Sequence, residues 1–194
     1  MIPQSICVFC GASAGNRSEY ADAARDLGKL IAQAGKTLVY GGGRVGLMGI
    51  VADGALSAGG NVVGVITEQL MDRELGHTGI AELLVVRTMH ERKALMADRS
   101  EGFIALPGGL GTFDELFEIL SWAQLGIHRK PVGLLNTLGF FDPLVSLVDK
   151  AAADGFMRMN HREEIAVDER PETLLAKLAT IRPAGARFVP TPIR

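Results

Sequence analysis

Two glycine-rich stretches and two charged groups carry the residue types that could do chemistry in this 194-residue sequence. The first stretch is Gly41-Gly42-Gly43-Arg44-Val45-Gly46-Leu47-Met48-Gly49, and the second is Pro107-Gly108-Gly109-Leu110-Gly111-Thr112. Each lies where an apolar run gives way to a helical pattern. Glycine there permits positive φ and close approach of a ligand to the backbone. Bare N–H groups at the positive end of a helix attract anions, and phosphate is their natural guest. Gly42 and Gly43 are the candidate phosphate contacts of the first stretch. Gly41, Gly43 and Gly46 match G-x-G-x-x-G, but the match follows the second strand and no ribose-binding acid stands at the usual place after the third, which argues against NAD. No Gly-Lys-Ser/Thr follows either stretch, so a Walker A loop is absent. The plain alternative is that these glycines only make tight turns.

The first charged group is Met89-His90-Glu91-Arg92-Lys93. It opens a helical pattern, the end at which cations are unfavourable. A solvated face gives no reason for Arg92 and Lys93 there, whereas an anion does: arginine offers a planar fork and lysine a point charge. His90 reads as a structural or cap residue. The second group is Glu115, three residues after Thr112. That is capping-box spacing, in which Thr112 caps the helix and Glu115 reaches back to an N–H. The competing reading sets the Glu115 carboxylate beside the phosphate loop, where it can hold sugar hydroxyls or steady a developing cation. Asp114 and Glu118 are close in sequence and are expected to face differently.

These groups need a frame. Short apolar runs at Ser5–Phe9, Thr37–Tyr40, Asn61–Ile66, Glu82–Val86, Phe103–Leu106 and Pro131–Leu135 read as six buried strands. Helical patterns fall between or after them, at Ser18–Ala34, Leu47–Ala58, His90–Ala97, Thr112–Leu125, Phe141–Ala153 and Pro171–Thr180. Continuous apolar strands alternating with helices imply a parallel sheet covered on both faces. Right-handed crossovers then give an α/β fold, a Rossmann-like doubly wound sheet. Ligands of such sheets bind beyond the carboxyl ends of the strands, where both glycine stretches lie. Residues 1–181 are expected to form a single Rossmann-like domain, and 182–194, with Pro183, Pro190 and Pro192, an extended or mobile tail.

Composition narrows the classes. Hydrophobic residues make up 47% and charged residues 22%, which excludes a disordered chain. Glycine is in excess, 24 of 194 residues, about 12% against a usual ~7%. The formal net charge is −2, so nucleic acid is not an expected partner. No apolar run approaches the ~20 residues of a membrane span, so no membrane is expected. Met1-Ile2-Pro3-Gln4-Ser5 has no basic region before its apolar stretch and does not read as a secretory signal, so a cytoplasmic location is expected. The two cysteines, Cys7 and Cys10, have C-x-x-C spacing. They sit in or beside a strand, whereas a redox pair is expected at a helix start, so burial is the preferred reading.

The two signatures Met89–Lys93 and Pro107-Gly108-Gly109-Leu110-Gly111-Thr112-Phe113-Asp114-Glu115 together resemble those of the Lonely Guy family, cytokinin-activating phosphoribohydrolases sometimes labelled lysine decarboxylases. The likeness extends through Cys7–Gly11, Tyr40–Gly49, Trp122–His128, Lys130–Leu135 and Asp154-Gly155-Phe156, roughly residues 5–157. It implies hydrolysis of the N-glycosidic bond of adenosine-type nucleoside 5′-monophosphates, giving free base and ribose 5-phosphate. It implies a small-molecule nucleotide substrate, a homodimer or larger oligomer, no cofactor and no metal. By the same resemblance Arg92 and Glu115 are the active pair. Gly108, Gly109, Gly111 and Thr112 match the phosphate loop, and Lys93 and Glu74 match binding positions. The sequence departs from the family pattern at Thr67, where many members have Pro, and at Leu110, where Tyr is common; the second change bears on substrate preference.

The chemistry is consistent with those residues taken alone. N-glycoside cleavage passes through an oxocarbenium-like sugar, which a carboxylate stabilises, attacks or hydrates. A guanidinium holds its charge, which suits positioning better than proton donation. Two other classes compete. A non-catalytic nucleotide carrier explains the glycines but gives Glu115 and Arg92 no joint purpose. A pyridoxal-phosphate decarboxylase needs a Schiff-base lysine, and among the six lysines only Lys93 lies near the expected site.

Overall fold

Every strand of the computed structural model, which describes residues 1–181, is short and apolar, and all of them pair in parallel. The tail expected over 182–194 lies outside the described residues. The strands are β1 (Ser5–Phe9), β2 (Thr37–Tyr40), β3 (Asn61–Thr67), β4 (Glu82–Val86), β5 (Gly102–Ala105), β6 (Val132–Leu135) and β7 (Ile165–Asp168). β3 shows why they form: Val62, Val63, Val65 and Ile66 are β-branched and buried, as strands covered on both faces require.

Between them run α1 (Ser18–Gln33), α2 (Gly46–Ser57), α3 (Glu68–Met71), α4 (Met89–Asp98), α5 (Leu110–Gln124), α6 (Asp142–Ala153), α7 (Met159–Glu163) and α8 (Pro171–Thr180). Sequence periodicity found six strands and six of these helices. It passed over β7, α3 and α7, which are four or five residues long, too short to show a period.

The strand order β4-β3-β2-β1-β5-β6-β7 confirms the doubly wound α/β sheet. The chain winds outward from β1 to β4, then returns to β5 on the other side of β1. The topological switch point therefore lies between β1 and β5, where a crevice opens at the carboxyl ends. The Gly11 N–H donates to Pro107 O at 3.1 Å across that crevice. One core, on the face of α1, α2 and α8, includes Leu27, Ile31, Val51 and Leu174. The other, on the face of α4, α5 and α6, includes Met96, Leu116, Ile119 and Val148, with Phe9 stacked on Phe103 at 5.9 Å. Cys7 and Cys10 are buried free thiols raised above their ordinary pKa, chiefly by burial, which fits burial over redox chemistry. Among the described residues no helix is long and apolar enough to cross a membrane.

Helix starts differ from the sequence reading. α1 has Arg17 at its N-cap and no side-chain cap. α5 begins at Leu110 with Gly109 as its uncapped N-cap, so Thr112 and Glu115 make no capping box. The capping box belongs to α4 instead. Thr88 Oγ1 accepts from the Glu91 N–H at 3.1 Å, and Glu91 Oε2 accepts from the Thr88 N–H at 3.3 Å.

Part of the glycine excess goes to a contact rather than to loops or helix stops. Gly28 of α1 packs on the backbone of α2, where a Cβ would collide with the Val51 carbonyl oxygen. Overpacking a close contact costs about 1–3 kcal/mol. Gly28→Ala is therefore expected to lower stability by that amount in urea titration, without altering the crevice at the strand ends.

Candidate active site

Arg92 is the residue around which the crevice is built. The capping box places it one turn into α4, and its side chain runs inward until only 5% of it is exposed. Nε–H donates to Val65 O of β3 at 2.9 Å, and an Nη2–H donates to Gly41 O, just past β2, at 2.7 Å. The fork is thus held by the carbonyls of two strand ends. Gly41 must be glycine for this, since a Cβ there would occupy the position of Arg92 Nη2.

Two carboxylates flank the guanidinium. Glu74 Oε2 lies 3.6 Å from Nη2 and Glu115 Oε1 lies 3.9 Å from Nη1. Burial pushes the Glu115 carboxyl up to about 7; Arg92 opposes the rise and Glu74 adds to it. Burial also raises Glu74, again against Arg92. Two partly desolvated acids thus share one cation, and Glu115 titrates in the physiological range.

These three side chains face a cleft of about 280 Å³, whose wall also includes Cys10, Gly11, Met48, Gly109, Gly111 and Thr112. The first-turn amides of a helix lack intrahelical acceptors, and α5 has no side-chain cap to fill the role. Gly109 and Gly111 have no atom within 4 Å of where a Cβ would stand, so the fold itself leaves their side-chain space open. An anion here would meet bare amides, the positive end of α5 and Arg92. Among the described residues no group of three or more His, Cys, Asp or Glu side chains is arranged to hold a metal ion.

Of the residues singled out from sequence, Arg92, Glu115, Glu74, Gly109, Gly111 and Thr112 meet in this cleft. Gly108 does not line it; a Cβ there would collide with Thr112 Oγ1. Gly42 and Gly43 do not line it. The Gly42 carbonyl accepts from the His77 N–H at 2.9 Å and Gly43 bridges to Gly76, so both hold the segment that carries Glu74. Lys93 is also elsewhere, because its ammonium already has anions, Asp114 at 3.0 Å and Glu118 at 3.1 Å. Burial opposes that charge, but the hydrogen bonds to Asp114 and Glu118 outweigh it and raise the amine above lysine's usual range. The cation at the start of α4 is thus answered by α5 and fastens the two helices together; an amine so held is ill suited to forming a Schiff base. His90 is exposed between the two capping residues. Cys10, which reads from sequence as a buried thiol, and Met48, which reads as part of the first glycine stretch, also line the cleft; their place beside strand exits was the available signal.

A second groove of about 390 Å³ lies between α5, α6 and α7, lined by Phe117, Leu120, Leu125, Leu147, Val148 and Met157 among others. It is larger, but Arg92, the glycine loop and the perturbed carboxylates are all in the first.

The model of the family described as "Possible lysine decarboxylase" matches residues 48–178. A protein of Arabidopsis thaliana named cytokinin riboside 5′-monophosphate phosphoribohydrolase is 48% identical over 180 residues, 93% of this chain and 79% of that one. A rice protein, Oryza sativa subsp. japonica, described as a probable enzyme of the same name is 51% identical over 173 residues, 89% of this chain and 78% of that one. Among solved structures the molybdenum cofactor carrier protein of Chlamydomonas reinhardtii has a TM-score of 0.69 at 24% identity, covering 91% of this chain and 96% of that one, a likeness of fold.

The open space at Gly111 separates folding from binding. Gly111→Ala is expected to leave urea stability within about 0.5 kcal/mol, as for substitutions that touch nothing. It should weaken binding of ribose 5-phosphate about tenfold or more in calorimetry, because the methyl group enters the cleft and keeps the anion from the amides.

Proposed function

Because this chain belongs to the Lonely Guy family of phosphoribohydrolases, we propose that its cleft hydrolyses the N-glycosidic bond of adenosine-type nucleoside 5′-monophosphates, AMP and N6-modified cytokinin riboside monophosphates among them. The observation that carries this reading is the buried Glu115 carboxyl beside Arg92, one helical turn into the helix whose start forms the glycine loop. The 5′-phosphate seats on the amides of Gly109, Gly111 and Thr112. That remote binding energy fixes the ribose over the carboxylates. As the bond from C1′ to the base nitrogen breaks, its electron pair leaves with the base. The positive charge that develops on the sugar faces Glu115, in a desolvated site where a carboxylate acts strongly. Water adds to C1′, and the proton it sheds makes up the neutral free base, leaving ribose 5-phosphate. Arg92 keeps the carboxylates apart and orients them, and Glu74 borders the ribose.

Incubation with AMP and with isopentenyladenosine monophosphate, followed by chromatography for free base, tests the assignment. Nucleotide binding without base release would sink it in favour of a carrier. Glu115→Gln should keep ribose 5-phosphate affinity and lower kcat by about 10²-fold or more. Glu115 must be ionised to act and its carboxyl is raised to about 7, so kcat/KM should rise with pH through about 7 and level off above it. Below about pH 6 protonation of the substrate phosphate adds a second loss. The residual rate of Glu115→Gln should show no step near 7, and wild-type turnover in that variant would remove Glu115 from the mechanism.

The same reading includes a homodimer in the cytoplasm. Phe117, Leu125 and Leu147 are 45%, 52% and 61% exposed along the apolar groove, a face suited to a second copy. Light scattering should give twice the chain mass, and Leu147→Glu should shift it toward the monomer. A monomeric wild type overturns the dimer.

A further inference from the structure

Glu74 meets the cleft's cation through a single ion pair. Its Oε2 is buried with no hydrogen-bond partner, and its one cation is 3.6 Å away. That ion pair alone holds the end of the side chain, so the backbone must set the rest of its position. Yet Glu74 stands in a run of turns between α3 and β4. The next residue, Leu75, has φ +49°, a left-handed conformation that is unfavourable for a non-glycine residue. Such a conformation persists only where its surroundings over-determine it.

Two residues past that strained position is His77, only 3% exposed. Its contacts reach three separate places. The backbone N–H donates to Gly42 O at 2.9 Å, at the exit of β2. Nδ1 accepts from the Gly79 N–H at 3.2 Å, which closes the turn behind it. An amide N–H can only donate, so the ring is neutral with its proton on Nε2, an assignment made from the hydrogen-bond network. That Nε2–H then points at Asp53 Oδ1 of α2, 3.1 Å away. On the other side of Leu75 the Arg44 N–H donates to Glu74 O at 2.8 Å. The same Arg44 N–H also reaches Leu75 O at 3.1 Å, the Glu74 N–H donates to Leu70 O at 2.8 Å and the Gly76 N–H to Met71 O at 3.0 Å. Backbone bonds thus hold the strained residue itself, and the His77 ring ties the segment beyond it to α2.

We propose that His77, latched to Asp53, is a positioning residue that sets Glu74 against Arg92 at the ribose side of the cleft. The inference rests on the reaction proposed above. His77 touches no substrate; it acts through the segment 74–79, which the latch fastens to α2 and to the end of β2. Asp53 is the better handle for a test, because its side chain is 59% exposed and its loss leaves no cavity.

Base release by the full chain is measured for wild type, Asp53→Ala, Asp53→Asn, Glu74→Gln and the double variant Asp53→Ala/Glu74→Gln. Misplacement of a group by about 1 Å can cost on the order of 10²-fold. Asp53→Ala is accordingly expected to lower kcat at least about tenfold, with KM moved less than about threefold, since the phosphate loop is untouched. Asparagine keeps an oxygen that accepts from Nε2–H, so Asp53→Asn should recover most of the rate. In the Glu74→Gln background, Asp53→Ala should add less than about twofold, because the two changes then act on one group. Amide hydrogen exchange, which needs no substrate, should quicken over residues 74–79 in Asp53→Ala and not in Asp53→Asn. Wild-type kinetics and exchange in Asp53→Ala overturn the latch, and so does an equal loss of kcat in both backgrounds. If the wild type releases no base, the assigned reaction is what fails; unchanged exchange in Asp53→Ala would then overturn the latch by itself, and faster exchange would uphold it.

Discussion

A guanidinium taken out of water must find anions or carbonyls for its donors, and the burial of Arg92 imposes that demand on everything near it. Val65 O and Gly41 O satisfy two of its N–H groups, so the ends of β2 and β3 must lie side by side. The charge is met by Glu74 and Glu115, which arrive from a loop and from α5. Four segments distant in sequence are tied to one side chain. Remove the charge and two carboxylates are left facing a desolvated space with nothing between them, which raises both further.

The neighbouring Lys93 meets the same demand differently. Successive helix residues point about 100° apart, so α4 sends one cation into the cleft and the next to the flank of α5. Asp114 and Glu118 receive it there. The helix start looked electrostatically awkward as sequence because its partners lie more than twenty residues away. The carboxylates alternate likewise: Asp114 faces the clamp and Glu115 faces the cleft, one residue apart.

This alternation marks what could be read from the sequence and what could not. The parallel sheet was legible because buried strands repeat as apolar runs, and the switch-point rule then pointed to the end of the sheet where the cleft around Arg92 lies. Arg92 and Glu115 were legible because charge beside bare glycine is unusual. The direction of Lys93 was not, since periodicity says which face a residue occupies but not what the opposing helix brings. Nor was the Thr112 to Glu115 spacing decisive: the same pattern three residues earlier in its helix would have been a cap, but α5 starts at Leu110 and turns Glu115 inward. Gly42 and Gly43 were read as phosphate contacts because a glycine's use for a ligand and its use for a neighbouring strand look alike in one dimension. His77 left no signal at all, because a latch is defined only by what it reaches.

The contact between Arg92 and Gly41 reaches beyond energetics. The guanidinium nitrogen fills the volume a β-carbon at position 41 would need. Neither residue can be exchanged first: a side chain at 41 evicts the arginine, and a shorter residue at 92 leaves the Gly41 carbonyl without its donor. Positions 51 residues apart in the chain are therefore coupled as one steric unit. A lineage that altered this site would have to change both at once or pass through a form with neither fit.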